Sequence, residues 1–154
     1  MALEKLKNRI PPPVITVLSA LIMWLLALLI PAAAAAKTSA LLGGFFALVG
    51  LLFAGAGLRA FRKHQTTVNP LNLRKTAAFV NSGIYRVSRN PMYVGLLFIL
   101  FGWALFLGNI LSMIWLGPWL IWMSELQIAP EEKAMTQQFG DAYSEYCKTV
   151  RRWL

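Results

Sequence analysis

The chain has 154 residues, of which 58% are apolar and 14% charged, whereas a soluble domain averages roughly 45–50% apolar and roughly 25% charged residues. This composition excludes a disordered chain and predicts one compact domain in a membrane. Fifteen Lys and Arg against six Asp and Glu give a formal net charge of +9, which suits nucleic acid or cytoplasmic membrane anchoring. A single cysteine, Cys147, and a single histidine, His64, exclude an intramolecular disulfide and a zinc cluster.

Four apolar segments are long enough to cross, or nearly cross, a hydrocarbon core of about 30 Å at about 1.5 Å per helical residue. They cover residues 14–30, 40–58, 91–107 and 110–126. We therefore predict an all-α integral membrane protein with about four transmembrane helices, followed by cytoplasmic amphipathic helices. The fourth segment contains Pro118, which is expected to kink it, and Glu125, whose charge requires the interface or a polar cavity.

Basic residues are distributed asymmetrically around these segments. If the four segments alternate across the membrane, Lys37 is the one basic residue of the 15 that lies in an outer loop. The positive-inside rule therefore predicts that both termini are cytoplasmic, and it explains the net charge without nucleic acid. The first segment also fits a secretory signal, because basic residues precede its apolar run and alanines follow it. Cleavage there would leave the predicted orientation of the rest unchanged.

The second segment carries small residues along one side of a helix, where a neighbouring backbone can approach closely. These residues are Gly43, Gly44, Ala47, Gly50 and Ala54. Little more than Gly108 and Asn109 separates the third and fourth segments, which predicts a tight antiparallel hairpin.

Most polar residues fall in two stretches, a cytoplasmic loop over 59–90 and a cytoplasmic C-terminal region over 127–154. A site for a water-soluble cofactor is expected there. The second stretch predicts a helix that begins at Pro130 and breaks at Gly140, where Asp141 is suited to cap a new amphipathic helix. The apolar face of that helix carries Tyr143, Tyr146, Cys147 and Val150, and its charged face carries Glu145, Lys148 and Arg152.

The residues before and within the third segment, 83–95, allow two interpretations. In the structural one, Asn90 caps the helix, Pro91 is its first residue, the arginines meet lipid headgroups and Tyr93 lies in an aromatic belt. That interpretation leaves unexplained the Gly-Tyr-Arg run before the cap. It also leaves unexplained Gly95, one turn inside the helix, where a ligand or another backbone can approach closely.

An adjacent pair of carboxylates, Glu131 and Glu132, follows Pro130 in the first turn of a predicted cytoplasmic helix. The helix dipole favours negative charge there by about 0.3–1 kcal/mol per residue. The functional alternative is that one carboxylate receives a cationic group of a ligand. His64 and Cys147 are assigned no catalytic role, since a lone histidine beside basic residues is typically interfacial and a cysteine on an apolar face is typically packed.

Several motifs together carry a family resemblance. They are Gly83-Ile84-Tyr85-Arg86 with Arg89-Asn90-Pro91-Met92-Tyr93-Val94-Gly95, Ile128-Ala129-Pro130-Glu131-Glu132, Phe139-Gly140-Asp141 with Tyr143 and Tyr146, and Val150-Arg151-Arg152-Trp153-Leu154. In this order around a helical hairpin, they resemble the isoprenylcysteine carboxyl methyltransferase family of integral membrane methyltransferases. The resemblance extends from about Thr66 to Leu154 and includes the Thr66-Thr67-Val68-Asn69-Pro70 stretch of prokaryotic members.

This resemblance implies transmembrane helices whose cytoplasmic loops enclose S-adenosylmethionine, and a lipophilic acceptor that enters from the bilayer between helices. It implies cofactor contacts from Tyr85, Arg86, Arg89, Asn90, Tyr93, Glu131 and Glu132, and it identifies no catalytic base and no metal ligand. Eukaryotic members read Arg-His-Pro-x-Tyr-x-Gly, with a cofactor-contacting histidine where this chain has Asn90. We expect Arg86, Arg89 and the two carboxylates to meet at the cytoplasmic mouth of the bundle, beneath a helix over 143–153.

The resemblance leaves the methyl acceptor open between an isoprenylcysteine carboxylate, a phospholipid amine and a small thiol. A membrane sterol reductase, whose C-terminal region is similar, would need a nicotinamide cofactor and more helices. A non-enzymatic membrane scaffold would keep the fold without the cofactor, whereas a transporter would need more ionisable residues than Glu125 in its spans. The expected partners are membrane lipids and a lipophilic or lipidated substrate, without nucleic acid, in a prokaryotic inner membrane. The oligomeric state stays open.

Overall fold

The computed structural model describes residues 10–29, 36–63 and 80–154. Its helices are α1 (Pro12–Leu29), α2 (Ala36–Lys63), α3 (Pro91–Leu107), α4 (Ile110–Trp122), α5 (Ala129–Phe139) and α6 (Asp141–Thr149). A 3-10 helix spans Gly83–Arg86, and a π-helical turn over Met123–Ile128 joins α4 to α5. These described ranges contain no β-strand, so the predicted all-α class is confirmed. The expectations that involve His64 and residues 66–70 lie outside them.

Two helices are long and apolar enough to cross a membrane. They are α1, with 18 residues, and the Ala40–Arg62 part of α2, with 23 residues. In contrast, α3 has 17 residues and α4 has 13. Of the four predicted spans, helix length therefore supports two within the described chain, α1 and α2. Large apolar side chains point outward from the long helices, with Leu29 76% and Leu41 79% exposed. Such a surface is stable in hydrocarbon and unfavourable in water.

Helices α2 and α3 approach each other through facing glycines. A Cβ atom on Gly95 would lie 2.6 Å from the Gly50 carbonyl oxygen, and one on Gly102 would lie 2.5 Å from the Gly43 carbonyl oxygen. The predicted small-residue contact is therefore confirmed at Gly43 and Gly50, and the close approach predicted at Gly95 is to another backbone. A Cβ on Gly44 would meet no atom within 4 Å, so this glycine lies outside the contact.

Helix α1 packs against α3 and α4 through an apolar core and two hydrogen bonds. The core contains Ile15, Met23, Leu100, Ala104, Leu116, Trp119 and Met123. The Ser112 hydroxyl donates to the Met23 carbonyl at 2.8 Å, and the Trp103 indole donates to the Ala20 carbonyl at 3.0 Å. Nearer the N-terminus, the Gln127 amide donates to the carbonyl of Ile10 at 2.9 Å. These bonds, with acceptors at residues 10, 20 and 23, attach the start and the middle of the first helix to the rest of the molecule.

An apolar groove of about 590 Å³ lies between α1, α2 and α3. Its walls include Val17 and Ala20 of α1, Gly44 of α2, and Ile99 and Phe106 of α3. Because hydrocarbon is the solvent around these helices, an apolar groove of this kind is suited to a lipid chain.

The connection between α3 and α4 is as short as predicted. Gly108 ends α3 with a left-handed φ of 60°, a conformation that glycine adopts without steric cost. The Asn109 side-chain oxygen then accepts hydrogen bonds from the amides of Leu111 at 2.9 Å and Ser112 at 3.2 Å. This N-cap satisfies two donors at the start of α4 and confirms the tight hairpin.

The fourth apolar segment does not continue as an α-helix through residue 126. After Trp122 the chain enters the π-helical turn, in which the Ala129 amide bonds to the Ser124 carbonyl, five residues back. Pro130, in the first turn of α5 as predicted, has no amide hydrogen to offer the Leu126 carbonyl, and its ring would collide with that group in an α-helix. The wider π turn accommodates the proline.

The break at Gly140 is confirmed, with φ 54° between α5 and α6. The predicted cap at Asp141 is wrong, because Gly140 holds the capping position and Asp141 is the first helical residue. Helix α6 ends at Thr149, since Val150 adopts an extended backbone, so the helix expected over 143–153 is four residues too long. The predicted apolar face is confirmed, with Tyr143, Tyr146 and Val150 buried against Met135, Phe139 and Cys147.

Candidate active site

The C-terminal segment, defined here as residues 150–153, runs beside the loop that precedes α3. The Arg89 amide donates a hydrogen bond to the Arg151 carbonyl at 3.0 Å. The Asn90 side-chain nitrogen donates to the Arg152 carbonyl at 2.9 Å, across a sequence separation of 62 residues. The end of the chain is thereby attached to the start of α3.

Asn90 occupies the cap position of α3, as the sequence predicts, but its side chain forms no capping hydrogen bond. The side chain turns instead to the Arg152 carbonyl. The backbone amide of Asn90 donates to the Ser88 hydroxyl at 3.0 Å, and this fully buried hydroxyl donates to the same Arg152 carbonyl at 3.4 Å. The predicted capping role is therefore wrong, because the carboxamide bonds to the C-terminal segment.

Glu132 of α5 is the centre of a partly buried ion-pair network. Its Oε1 lies 3.1 Å from Nη1 of Arg89, and its Oε2 lies 2.5 Å from Nη2 of Arg152. A hydrogen bond from the Arg152 Nε to Oε1 at 3.3 Å makes the second contact bidentate. The side chains of Glu132 and Arg89 are 15% and 14% exposed. The hydrogen bond to Glu132 raises the pKa of Arg152, which holds this guanidinium as a cation beside the carboxylate.

The sequence predicts that Arg152 lies on the charged face of a helix, and this prediction is wrong. The helix has ended at Thr149, and the helical periodicity no longer determines the direction of the side chain. Its guanidinium therefore turns inward to α5, where it contacts Glu132.

Glu131, beside Glu132 in the first turn of α5, has a different environment. The Tyr93 hydroxyl donates a hydrogen bond to its Oε1 at 2.7 Å. Burial raises the pKa of Glu131 to about 7, the charge of Glu132 acts in the same direction, and the bond from Tyr93 opposes the shift. No Lys or Arg in the described ranges forms an ion pair with it. The site thus contains one carboxylate neutralised by two arginines and one that pairs with a neutral hydroxyl.

The short helix Gly83–Arg86 contributes a buried tyrosine. The Tyr146 hydroxyl donates to the Tyr85 backbone carbonyl at 2.7 Å, which joins α6 to this helix. Burial raises the pKa of Tyr146 to about 12, so the hydroxyl remains a donor at neutral pH. The Tyr85 ring packs edge-on against Phe61 of α2, with centroids 5.5 Å apart. Arg86 is exposed and forms no ion pair with another residue of the described chain.

Cys147 lies behind the network. The Nη1 atom of Arg89 donates a hydrogen bond to the Cys147 sulfur at 2.5 Å. The Cys147 side chain also packs beside the aromatic residues of α6. This position fits the packed thiol that the sequence predicts. Within the described ranges, no three His, Cys, Asp or Glu side chains are arranged to hold a metal ion.

Seven residues are predicted to contact a cofactor, and the structure brings five of them together in one charged cluster. They are Arg89, Asn90, Tyr93, Glu131 and Glu132. Tyr85 is attached through its backbone to α6, whereas Arg86 is apart from the ion pairs. Their role toward a cofactor stays a prediction. Sequence reasoning missed Arg152 as a member of the cluster, and the only signal was the closing run Val150-Arg151-Arg152-Trp153-Leu154.

The helices have apolar outer faces, and a partly buried cluster of arginines, carboxylates and tyrosines lies at one end of them. These features define a membrane protein with a polar site at that end of its helix bundle. Residues 38–142 match the family described as phospholipid methyltransferase. The chain belongs to this family, which includes the isoprenylcysteine methyltransferases. The resemblance read from the sequence motifs is thereby confirmed.

Two relatives extend this comparison. A protein of Haemophilus influenzae, described as uncharacterized, is 46% identical over 65 residues, which cover 41% of this chain and all of that protein. The protein-S-isoprenylcysteine O-methyltransferase of Schizosaccharomyces pombe is 33% identical over 113 residues, which cover 73% of this chain. The match spans 47% of the yeast enzyme, about half of its length. No solved structure matches the chain.

Proposed function

We propose that this protein is an S-adenosylmethionine-dependent membrane methyltransferase that methylates an acceptor presented by the bilayer. The observation that carries the proposal is the different pairing of the two neighbouring carboxylates. Glu132 holds two arginines together, whereas Glu131 has a tyrosine hydroxyl as its hydrogen-bond partner. The site therefore offers both an anion-binding and a cation-binding position within one turn of helix.

The donor set fits the amino-acid part of S-adenosylmethionine, which carries one carboxylate and one ammonium group. Arg89 and Arg152 together carry more charge than Glu132 neutralises, and a guanidinium has five N–H donors. Their free donors are suited to the cofactor carboxylate. Glu131 is suited to the ammonium group, with Tyr93 holding its orientation. Of the remaining predicted contacts, Tyr85 would form part of the pocket wall and Arg86 would approach from the exposed side.

S-adenosylmethionine, when bound, supplies an activated methyl group on a sulfonium. The residues of the chain would bind and orient this donor and exclude water from it, which contributes to rate by positioning and desolvation. No residue in the described ranges is assigned as a catalytic base. An acceptor that is already anionic, such as a carboxylate or thiolate, needs none.

We propose an isoprenylcysteine-carboxylate-like acceptor, with a phospholipid amine or a small thiol as alternatives. The named activity of the yeast relative supports the first, and the family description supports the second. The apolar groove supports a lipophilic acceptor in either case, because its wall on α3 begins at Ile99, six residues after Tyr93. That separation corresponds to about 9 Å along the helix.

The same proposal places the site on the cytoplasmic side of a prokaryotic inner membrane. The charge bias of the sequence supports this orientation, since most basic residues flank the end of the bundle that carries the site. S-adenosylmethionine is a water-soluble cofactor of the cytosol, so this side would give it direct access.

Calorimetric titration of S-adenosylhomocysteine into detergent-purified protein tests the proposal. We expect binding by the wild type and weaker binding by Glu131→Gln and Glu132→Gln. The matched control is Glu145→Gln, because Glu145 is an exposed carboxylate of α6 that pairs with Lys148. Absence of binding to folded wild type would favour the non-enzymatic scaffold. Equal binding by all four proteins would place the cofactor away from Glu131 and Glu132 and overturn the proposed site.

Transfer of labelled methyl groups identifies the acceptor class. A farnesylated cysteine analogue with a free carboxylate, vesicles of phosphatidylethanolamine, and a small alkyl thiol are each offered to the wild type. Label in the farnesylated analogue alone supports the proposed acceptor. Label in the lipid or the thiol replaces it with the corresponding alternative.

A further inference from the structure

Arg152 is held at both ends by different parts of the molecule. Its guanidinium pairs with Glu132 of α5, with a closest contact of 2.5 Å. Its backbone carbonyl accepts hydrogen bonds from the Asn90 side chain at 2.9 Å and from the Ser88 hydroxyl at 3.4 Å. The residue lies in the C-terminal segment, beyond the last helix, so helical hydrogen bonds do not fix its backbone.

We infer that Asn90 is a positioning residue, which attaches the C-terminal segment to the start of α3 so that the Arg152 guanidinium reaches Glu132 at the cofactor-carboxylate position. This inference rests on the proposed function. It assigns Asn90 an indirect role, in place of the direct cofactor contact that the family motif implies for this position. It also adds Arg152 to the residues of the site.

The burial of the partners explains why Arg152 needs to be positioned. The Arg152 side chain is 39% exposed, whereas Arg89 is 14% exposed. An arginine that is partly in water gains little from an ion pair, because ordering its long side chain costs entropy and solvent screens the charges. Fixing the backbone beneath the side chain reduces the freedom that the ion pair must remove. Arg89 needs less help, since its position just before α3 and its burial already restrict it.

The contacts of Asn90 favour the indirect role. A side-chain amide has two N–H donors and one carbonyl acceptor, and one of the donors is engaged by Arg152. The adjacent Arg89 amide bonds to the carbonyl of Arg151, so two consecutive residues of the loop hold two consecutive residues of the C-terminal segment. The fully buried Ser88 hydroxyl joins both sides of this contact.

A double-mutant cycle on S-adenosylhomocysteine affinity tests the inference. Asn90→Asp keeps the shape of the side chain but places a carboxylate, which cannot donate, against the Arg152 carbonyl. We expect Asn90→Asp and Arg152→Ala each to weaken binding by about tenfold or more. Because Asn90 acts through Arg152, the double variant should bind no more weakly than Arg152→Ala alone. Additive losses, or no loss in Asn90→Asp, would overturn the inference.

Three further measurements keep the test decisive. Ser88→Ala removes the second donor to the same carbonyl and should show the same non-additivity with Arg152→Ala if Asn90→Asp fails to fold. In turnover, a positioning defect at the cofactor should raise the KM for S-adenosylmethionine and leave kcat unchanged. Amide hydrogen exchange at Arg89, whose acceptor is Arg151, should accelerate in Asn90→Asp if the segment is released.

The failure of this inference is distinguishable from the failure of the proposed function. If the wild type binds no S-adenosylhomocysteine, the proposed function fails and the positioning role fails with it. If the wild type binds and the cycle is additive, the proposed function stands and Asn90 contacts the cofactor independently. Unchanged exchange at Arg89 in Asn90→Asp would also overturn the positioning role.

Discussion

At the residue scale, two adjacent glutamates of the same sequence motif differ in what they can bind. Glu132 is committed to Arg89 and Arg152, and Glu131 accepts a hydrogen bond from Tyr93. Sequence alone gives both residues the same helix-dipole environment. The elements packed around α5 make them different: Glu132 orients two arginines, whereas Glu131 is a candidate site for a cationic group.

The raised pKa of Glu131 predicts a specific dependence of stability on pH. Its pKa is about 7 in the folded protein against an ordinary 4.5, so the folded state binds this proton more tightly than the unfolded state does. The contribution of Glu131 to stability is therefore greatest below about pH 4.5 and is lost as the pH rises through 7. Glu131→Gln removes this contribution, and the difference in unfolding temperature between wild type and variant should change with pH across that window.

Thermal unfolding in detergent at several values between pH 4.5 and 8 measures this difference. The titratable groups around Glu131 are Glu132 on α5, Tyr93 on α3 and Tyr85 on the short helix, and all three remain in the variant. Glu145→Gln is the control, since this carboxylate is exposed. A constant difference between wild type and Glu131→Gln would show that the carboxyl titrates normally.

Some of the site residues were predictable and others were not, for physical reasons. The sequence identifies the carboxylate pair and the Arg89-Asn90 loop as candidate site residues, because charged residues beside apolar helices require ion-pair partners or a ligand. The direction of the Asn90 side chain did not follow, since a helix cap and a long-range bond to Arg152 satisfy the same sequence pattern. Arg152 was misplaced because helical periodicity was extended four residues past Thr149, the true end of α6.

At the element scale, the contact between α2 and α3 depends on glycines that no larger residue can replace. In Gly95→Ala the new Cβ would lie 2.6 Å from the Gly50 carbonyl oxygen and 2.7 Å from the Ala54 amide nitrogen. Backbone atoms of a packed helix cannot move aside locally, so the helices must separate. We expect a loss of about 1–3 kcal/mol in the free energy of unfolding, measured by chemical or thermal denaturation in detergent.

Two glycines of α2 provide matched controls for this substitution. A Cβ on Gly44 or Gly55 meets no atom within 4 Å. Alanine at these helical positions should leave stability unchanged or raise it by about 0.5–1 kcal/mol, because alanine loses less backbone entropy than glycine. Equal effects of Gly95→Ala and Gly44→Ala would contradict the close approach of the two helices.

The helices themselves were more predictable than their ends. Hydropathy identified α3 to its limits and α1 to within two residues, but it missed four residues at the start of α2 and five at its end. The Gly108-Asn109 pair marked the hairpin. The sequence does not show that α4 passes through a π turn into α5 without a loop, because the cause is the missing amide of Pro130 acting on a carbonyl four residues earlier. Helix α4, with 13 residues, also falls four residues short of the span predicted over 110–126, whereas α3 has the predicted limits 91–107.

At the scale of the whole molecule, the charge asymmetry predicts that α6 and the site face the cytoplasm. In a Cys147→Ser background, Lys148→Cys places a thiol on the exposed face of α6. Lys37→Cys places one in the first turn of α2, at the end of the bundle expected outside. A membrane-impermeant maleimide should label Lys37→Cys in intact spheroplasts and Lys148→Cys in inverted vesicles. The reverse pattern would place the site on the outer side and deny it cytosolic S-adenosylmethionine.

The groove and the polar site together predict that donor and acceptor binding are separable. The charged cluster lies near the start of α3, whereas the groove reaches along α3 from Ile99 to Phe106. Gly44→Leu would fill the groove from α2 without a clash at its Cβ. It should raise the KM for a long-chain acceptor and leave the affinity for S-adenosylhomocysteine unchanged. The reason is that the neighbouring Gly43 faces Gly102 and Phe106, whereas the charged cluster lies at the opposite end of α3.

Gly55→Leu is the matched control, because Gly55 lies on the same helix with open space at its Cβ and does not line the groove. Methyl-transfer kinetics with a long-chain and a short-chain version of the same acceptor measure the effect. The larger loss should fall on the long-chain version in Gly44→Leu alone, since only its chain competes with the new leucine for the groove. Equal losses for both acceptors, or the same losses in Gly55→Leu, would remove the groove from substrate recognition and confine specificity to the polar site.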